Sequence, residues 1–267
     1  MSRLALIAGG GIAGLAAGAA LAQRGWRVRI FERSPELRTF GAGIYIWENG
    51  LAVLEAVGAY DDAVRDQLPG WRRDARDAKN RVFRRNVVQG SRLFTIIRSN
   101  LLVALQKAAL ASGCVIQFGA DVQGAVDDRL RVNGELTEEA DLVVGADGVN
   151  SGVRDSFDLV RSRRWIDQYA IRVLIPRQPE ELQTELGRSH CEYWSGPNRL
   201  LYAPCTAREA YVQLTSPYGD ARGNRIPIER DYWYERFPHA RWIVDRVPEN
   251  GRGDRFQILH LKRWSVG

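Results

Sequence analysis

The sequence is poor in the residues that build metal centres and disulfide frameworks. Its 267 residues include 3 cysteines and 3 histidines. The cysteines, Cys114, Cys191 and Cys205, have neither the spacing of metal ligands nor that of a disulfide framework, and the histidines fall in no metal-ligand pattern. We therefore expect reduced cysteines that serve as packing residues, and no metal site.

Long apolar runs are also missing. No stretch approaches the roughly 18 uninterrupted apolar residues of a membrane span, and the N-terminus leads directly into a strand-like run instead of a signal peptide. Hydrophobic residues still make up 45% of the chain, which is enough for one large core or two ordinary ones. These features predict a cytoplasmic protein with no membrane partner.

Acidic residues are outnumbered, since 38 Lys and Arg face 32 Asp and Glu, giving a formal charge of +6. Much of the excess lies between residues 72 and 92. This region has no helix-turn-helix, finger or aromatic stacking motif, so we expect no nucleic-acid partner. The alternatives that remain are a solvated basic face and attraction of an anionic cofactor or substrate.

A glycine-rich dinucleotide-binding motif opens the chain. A strand-like run at residues 4–8 leads into Gly9, Gly11 and Gly14 in G-x-G-x-x-G spacing, and an alanine-rich helical stretch follows. The first glycine permits a tight turn, the second lets the backbone approach a pyrophosphate, and the third lets helix and strand pack closely. Glu32, 18 residues after the last glycine, is placed to accept hydrogen bonds from a ribose.

A second motif follows a buried strand predicted at residues 142–144. Residues 145–154 read Gly-Ala-Asp-Gly-Val-Asn-Ser-Gly-Val-Arg, which brings the carboxylate of Asp147 into a turn beside a phosphate-binding or ribose-binding edge. Between the two motifs, Ser99 is predicted to cap a helix. Arg98 is then expected to project from the start of that helix.

The second half of the chain predicts a sheet. Turn residues separate four alternating segments, which cover residues 169–175, 191–194, 199–203 and 210–215. We expect these segments to form an antiparallel layer on the cofactor domain.

With these motifs in these positions, the chain resembles the single-component FAD-dependent aromatic hydroxylases, the para-hydroxybenzoate hydroxylase-like flavoproteins, over essentially its whole length. The resemblance implies an α/β fold. A Rossmann-like, three-layer FAD-binding domain is expected over residues 1–72 and 95–160, and an antiparallel β-sheet substrate domain over 73–94 and 161–261.

The resemblance also implies a cofactor site and a reaction. Its FAD contacts correspond here to Gly9, Gly11, Ala13, Gly14, Glu32, Arg33, Arg98, Val122 and Asp147. In such enzymes NAD(P)H reduces FAD, the reduced flavin reacts with O₂, and a flavin C4a-hydroperoxide transfers one oxygen atom to a small aromatic or N-heteroaromatic acid. No protein side chain is expected to act as a catalytic group, because the cofactor carries the chemistry.

Within that family, residues 41–58 and 200–205 resemble the pyridine-carboxylate oxygenases. This closer match implies that Tyr45, Arg172, Arg199 and Tyr211 contact an anionic, hydroxylated ring. The alternative is that both arginines are ordinary strand-face residues and that Tyr211 is a core aromatic.

Other functions remain open at this point. Relatives continue after Gly267 into a Gly-Asp motif that binds the flavin, so we expect the chain to be C-terminally incomplete. A plain NAD(P)-dependent dehydrogenase would explain the first motif but not the second. A flavin-dependent halogenase or prenyl-chain reductase would share the cofactor domain, and a truncated, non-catalytic remnant is the last alternative.

Overall fold

The computed structural model describes residues 2–37 and 42–267. Gly41, the first residue of the 41–58 segment compared with the pyridine-carboxylate oxygenases, lies outside the described residues. The strands are β1 (Leu4–Ala8), β2 (Arg27–Glu32), β3 (Gly43–Trp47), β4 (Arg72–Arg76), β5 (Val82–Val87), β6 (Leu93–Ile97), β7 (Val115–Phe118), β8 (Val122–Val126), β9 (Arg129–Val132), β10 (Glu135–Leu136), β11 (Leu142–Gly145), β12 (Val160–Pro176), β13 (His190–Ser195), β14 (Asn198–Pro204), β15 (Glu209–Ser216) and β16 (Arg252–Leu261). The helices are α1 (Ile12–Ala22), α2 (Glu48–Ala56), α3 (Tyr60–Val64), α4 (Arg98–Ala111), α5 (Gly152–Asp155), α6 (Glu185–Arg188), α7 (Arg230–Arg236) and α8 (Arg241–Val244).

A parallel sheet forms the cofactor half of the molecule. Its strand order is β11-β1-β2-β7, and every neighbouring pair runs parallel. Parallel strands need crossover connections, and the Ala-rich α1 supplies the one between β1 and β2. Helices α1 and α4 bury Leu15 and Leu105 against Ile30 on one face, while the small sheet β10-β9-β8 buries Leu130 on the other. The expected three-layer α/β arrangement is confirmed.

A seven-stranded sheet forms the second half, in the order β16-β12-β15-β14-β13-β4-β5. Its pairs are antiparallel, as the alternating segments predict, except for β13 and β4, which run parallel. One face carries an apolar core in which Trp233 and Phe237, both fully buried, pack against Tyr202 and Val212. The opposite face is not covered by α7, which carries Trp233. It lies under the β3–β6 pair, where Gly43 approaches Tyr211.

Helix α4 starts two residues earlier than the sequence predicts. Its N-cap is Ile97 and Arg98 is its first residue, so the prediction that Ser99 caps this helix is wrong. The reason is tertiary, because β6 is held in register against β3 through Ile97 and runs directly into the helix. Arg98 still projects from the start of the helix.

Three expectations based on composition can be compared with the fold. Cys114, Cys191 and Cys205 are free and buried. Among the described residues, no helix is long and apolar enough to cross a membrane. Within the same ranges, no cluster of three or more His, Cys, Asp or Glu side chains is arranged to hold a metal ion.

Candidate active site

The turn between β1 and α1 can be built only from glycine at two positions. Gly9 has φ +101°, and a Cβ there would lie 2.4 Å from the carbonyl oxygen of Ala146. A Cβ on Gly14 would lie 1.9 Å from the carbonyl oxygen of Gly9. Helix α1 can therefore approach the strand closely, and its first turn faces a cleft at the carboxyl ends of β1 and β11.

Gly11 has a different role in the same turn. It is the N-cap of α1, with φ −81°, and a Cβ there would meet no described atom within 4 Å. No acidic residue occupies the first turn of this 11-residue helix. Its unpaired N–H groups and dipole therefore favour an anion such as a phosphate beside Gly11.

Glu32 is held at the other side of the cleft by the backbone. One carboxylate oxygen accepts a hydrogen bond from the Gly10 amide at 2.8 Å, and the other accepts one from the Ser34 amide at 2.9 Å. Each carboxylate oxygen can accept a further hydrogen bond. Glu32 is thus fixed as an acceptor for ligand hydroxyl groups.

Asp147 supplies a second acceptor. Its Oδ2 accepts a hydrogen bond from the Val153 amide at 3.1 Å, whereas its buried Oδ1 has no partner in the described part of the chain. A buried acceptor without a partner costs roughly 1–3 kcal/mol. A donor from a ligand in the cleft would remove that cost.

The remaining predicted cofactor residues divide into two groups. Arg33, Arg98 and Val122 line the cleft, whose volume is about 250 Å³, together with Gly9, Gly11, Glu32 and Asp147. Ala13 is exposed on the first turn of α1 and, with Gly14, is not part of that lining. Gly14 thus contributes through helix packing. Asp121 and Asn150 also line the cleft and were missed. Asp121 belongs to no motif, and Asn150 lies in the second motif but was not predicted to contact the cofactor.

The face of the large sheet opposite Trp233 gathers three of the four predicted substrate residues. In the sheet register Arg172 is opposite Gln213, Leu174 is opposite Tyr211, and Arg199 is opposite Thr215. Side chains alternate along a strand, so these residues all point to one face. We call this surface the ring face.

Hydrogen bonds order the centre of the ring face. The hydroxyl of Tyr211 donates to Gln213 Oε1 at 2.8 Å, and Gln213 Nε2 donates to Thr215 Oγ1 at 3.0 Å. All three side chains are buried. Burial raises the pKa of Tyr211, although Arg172 and Arg199 oppose the effect. The phenol therefore stays neutral and can hydrogen-bond a ligand.

The two arginines of the ring face differ in their partners. Arg172 pairs with Asp254 at 3.1 Å and stacks on Phe256. Arg199 lies over the Trp194 ring at 5.3 Å and has no ion pair within residues 2–37 and 42–267. Arg199 therefore carries the uncompensated charge of the ring face.

Comparison with known proteins identifies the cofactor. Residues 4–241 match the family model described as an FAD binding domain. The chain is 39% identical to AqdB1 of Rhodococcus erythropolis, over 98% of this chain and 69% of that protein. It is 35% identical to 2-heptyl-3-hydroxy-4(1H)-quinolone synthase of Mycobacteroides abscessus, over 98% of this chain and 71% of that protein. A crystal structure of tetrameric 2-methyl-3-hydroxypyridine-5-carboxylic acid oxygenase superposes with a TM-score of 0.92 at 37% identity, covering 99% of this chain and 72% of that one.

The chain belongs to the FAD-dependent monooxygenases. The cleft of this monooxygenase fits the cofactor on structural grounds. Gly11 leaves open space at a helix N-terminus for the pyrophosphate, Glu32 presents acceptors for a ribose, and Asp147 Oδ1 needs a donor. Arg98, which has no ion pair in the described residues, adds a positive charge to the same cleft.

Tyr45 lies on β3 and is therefore not part of the ring face of this monooxygenase. It packs beside Tyr211, but its ring lies 5.0 Å from His190 and 5.7 Å from the Arg73 guanidinium. The Tyr45 hydroxyl is buried without a hydrogen-bond partner among the described residues, and burial raises its pKa well above the usual value. These side chains and Glu192, which pairs with Arg73 at 3.5 Å, line a small cavity of about 40 Å³.

His190 and Arg73 were missed as neighbours of the site. The sequence showed only that His190 falls in no metal-ligand pattern, and the structure places it in the core, with Nε2 2.8 Å from Thr95 Oγ1. Burial, and then the charge of Arg73, lower the pKa of His190 to about 3. Their juxtaposition depends on the parallel pairing of β4 with β13, where His190 is opposite Arg73. No local sequence signal predicts that pairing.

Proposed function

We propose that this monooxygenase hydroxylates a small aromatic or N-heteroaromatic ring bearing an acidic oxygen substituent, with NAD(P)H as hydride donor and O₂ as oxygen source. The observation that carries the proposal is Arg199, a cation without an ion pair in the described residues, beside the ordered Tyr211–Gln213–Thr215 chain. Relatives support the same substrate class, since one solved neighbour is a pyridine-carboxylic acid oxygenase and another relative, 28% identical, is 6-hydroxynicotinate 3-monooxygenase of Bordetella bronchiseptica.

The protein groups have a limited task in this reaction. When bound, FAD supplies the redox chemistry that takes a hydride from NAD(P)H and activates O₂. Arg199 would hold the anionic oxygen of the ring and favour its ionised form, which makes the ring electron-rich. The Tyr211 hydroxyl would orient the ring, and the apolar residues around it, Leu201 and Ala203, would exclude water. The hydroperoxide route implied by the resemblance stays a prediction.

The reaction balances without a further reactant. NAD(P)H, a proton, O₂ and the aromatic substrate give NAD(P)⁺, water and the ring with a new hydroxyl group. One atom of O₂ enters the ring, and the other leaves as water after accepting two electrons from the hydride. No protein side chain is consumed or needed as a nucleophile.

The test is a comparison of Arg199→Gln with Arg225→Gln in FAD-loaded protein. Arg225 is an exposed arginine with one long contact to Glu229 at 3.8 Å, and serves as the matched control. Anaerobic absorbance titration measures the dissociation constant of 2-methyl-3-hydroxypyridine-5-carboxylate and of 6-hydroxynicotinate. A charge-assisted hydrogen bond contributes about 1.5–3 kcal/mol, so Arg199→Gln should weaken binding roughly 10-fold to 100-fold.

The same titration with a 4-quinolone lacking a carboxylate separates two substrate classes. The relative named as a quinolone synthase favours that ring as a second candidate. Two results together would favour the quinolone as the substrate. The parent protein would bind it more tightly than both acids, and Arg199→Gln would bind it as tightly as the parent does. Substrate-stimulated NAD(P)H oxidation that yields no oxygenated product, traced with isotope-labelled O₂, would refute hydroxylation.

Two predictions of the sequence accompany this proposal. The FAD-binding segments at 1–72 and 95–160 and the substrate segments at 73–94 and 161–261 remain a proposed division, supported by separate cores around Ile30 and Trp233. A cytoplasmic location also stays a prediction.

A further inference from the structure

A second cavity lies next to the FAD cleft, at the free edge of β12 and the start of β16. Its volume is about 370 Å³. We call it the arginine cavity, after the charged residues in its lining, which are Arg98, Arg172, Arg252 and Asp254. It presents three guanidinium groups against one carboxylate.

Asp254 is shared between two of these arginines. Its Oδ2 lies 3.1 Å from Arg172 Nη1 and 3.4 Å from Arg252 Nε. Arg98 has no ion pair in residues 2–37 and 42–267. The cavity is therefore net positive, and a ligand that becomes anionic there would be stabilised.

The position of Arg98 connects the two cavities, since it lines both. Arg98 would therefore lie between a pyrophosphate held at the N-terminus of α1 and a ring held in the arginine cavity. The arginine cavity also reaches the ring face, because Arg172 and Leu174 line it and Leu174 is opposite Tyr211. A ring in this cavity would lie beside the expected aromatic substrate.

We propose that Arg252 and Asp254 of the arginine cavity tune the reduction potential of the FAD isoalloxazine ring in opposite directions. The placement of that ring in the cavity rests on the proposed function, which requires the flavin ring beside the ring face. The opposite effects of Arg252 and Asp254 on the reduction potential follow from the opposite signs of their charges.

The sign of each effect follows from the electron balance. The oxidised ring is neutral, and addition of a hydride, which is two electrons and one proton, gives the anionic reduced ring. A nearby cation stabilises the reduced form more than the oxidised form, and a nearby anion does the opposite. Arg252 should therefore raise the potential and Asp254 should lower it.

The experiment measures the two-electron reduction potential of FAD-loaded protein by dithionite titration with a reference dye, without aromatic substrate or NAD(P)H. Arg252→Gln should raise the equilibrium ratio of oxidised to reduced FAD about fivefold. A tenfold change in this ratio corresponds to 29.6 mV for two electrons, so the reduction potential should fall by about 20 mV. Asp254→Asn should raise the potential by a similar amount. Arg81→Gln and Asp77→Asn, which disrupt an exposed pair 2.7 Å apart, are the matched controls and should leave it unchanged.

Arg252→Lys distinguishes charge from packing, because it keeps the cation but not the guanidinium geometry. It should keep the parent potential. Unchanged potentials in both Arg252→Gln and Asp254→Asn, or shifts of the same sign, would overturn the inference, as would a parent chain that retains no FAD. Opposite shifts in a protein that never hydroxylates an aromatic ring would support the inference and refute the proposed function.

Discussion

We expect Gly14→Ala and Gly11→Ala, two changes in the same glycine motif, to have different effects. Gly14→Ala should lower the stability of the protein, and Gly11→Ala should lower its affinity for FAD. Gly14→Ala places a Cβ 1.9 Å from the Gly9 carbonyl oxygen, about 1.5 Å short of ordinary contact at 3.4 Å. The obstacle is backbone, so no rotamer change relieves it. Helix α1 must move away from β1 and β2, where it covers Ile7 and Ile30.

The expected cost of Gly14→Ala is about 2 kcal/mol or more. Overpacking in a well-packed core costs about 1–3 kcal/mol. Alanine regains up to about 1 kcal/mol of helix propensity, but the helix displacement also exposes apolar surface. Urea unfolding of the FAD-free protein should show a lower midpoint, and FAD binding should be weakened as a consequence.

Gly11→Ala is the matched change in the same turn. Its Cβ meets no described atom within 4 Å, and φ of −81° suits alanine. The loss of glycine at an N-cap and the reduced entropy of the unfolded chain roughly cancel, so the FAD-free stability should stay within about 0.5 kcal/mol of the parent. The methyl group projects into the cleft, however, and FAD affinity should fall at least about tenfold.

One result for each variant would contradict this account of the glycine motif. Gly14→Ala with parent-like stability would mean that α1 is not held against Gly9 as described. Gly11→Ala with parent-like FAD affinity, measured by flavin fluorescence titration, would mean that the pyrophosphate does not lie at this helix N-terminus.

Two further predictions concern stability. Asp74 has a fully buried carboxylate between Arg72, Arg76 and Arg85, at 2.9–3.4 Å. Asp74→Ala should therefore cost about 3–5 kcal/mol in urea unfolding. Asp158 has an exposed side chain that pairs with Lys262, so Asp158→Ala should cost under about 1 kcal/mol, and a loss as small as that for Asp74→Ala would contradict the account. His190 is neutral when folded, with its pKa lowered to about 3, and protonates near pH 6.5 when unfolded. Between these values the unfolded chain binds the extra proton, so stability should fall as pH falls, by up to about 1.4 kcal/mol per pH unit. This slope should be reduced in His190→Gln when unfolding is compared at pH 7 and pH 5, and identical slopes in the two proteins would refute the buried, neutral state of His190.

The sequence by itself determined the local parts of this protein. Glycine spacing, the strand before it and the delayed Glu32 fix a βαβ unit, because φ freedom, helix propensity and side-chain alternation act over a few residues. The alternating segments likewise predicted β12 to β15 and so placed Arg172, Arg199 and Tyr211 on a sheet. Family resemblance added the cofactor.

Tertiary structure alone decided which of these parts meet. The backbone hydrogen bonds of a sheet are alike in every register, so local sequence does not specify that β11 pairs with β1 and brings Asp147 to Gly9, or that β4 pairs with β13 and brings Arg73 to His190. The same long-range packing moved the start of α4 to Arg98. Long-range packing also gave Arg172 an ion pair with Asp254 and left Arg199 without one in the described residues. The alternation of residues along a strand does not predict this difference.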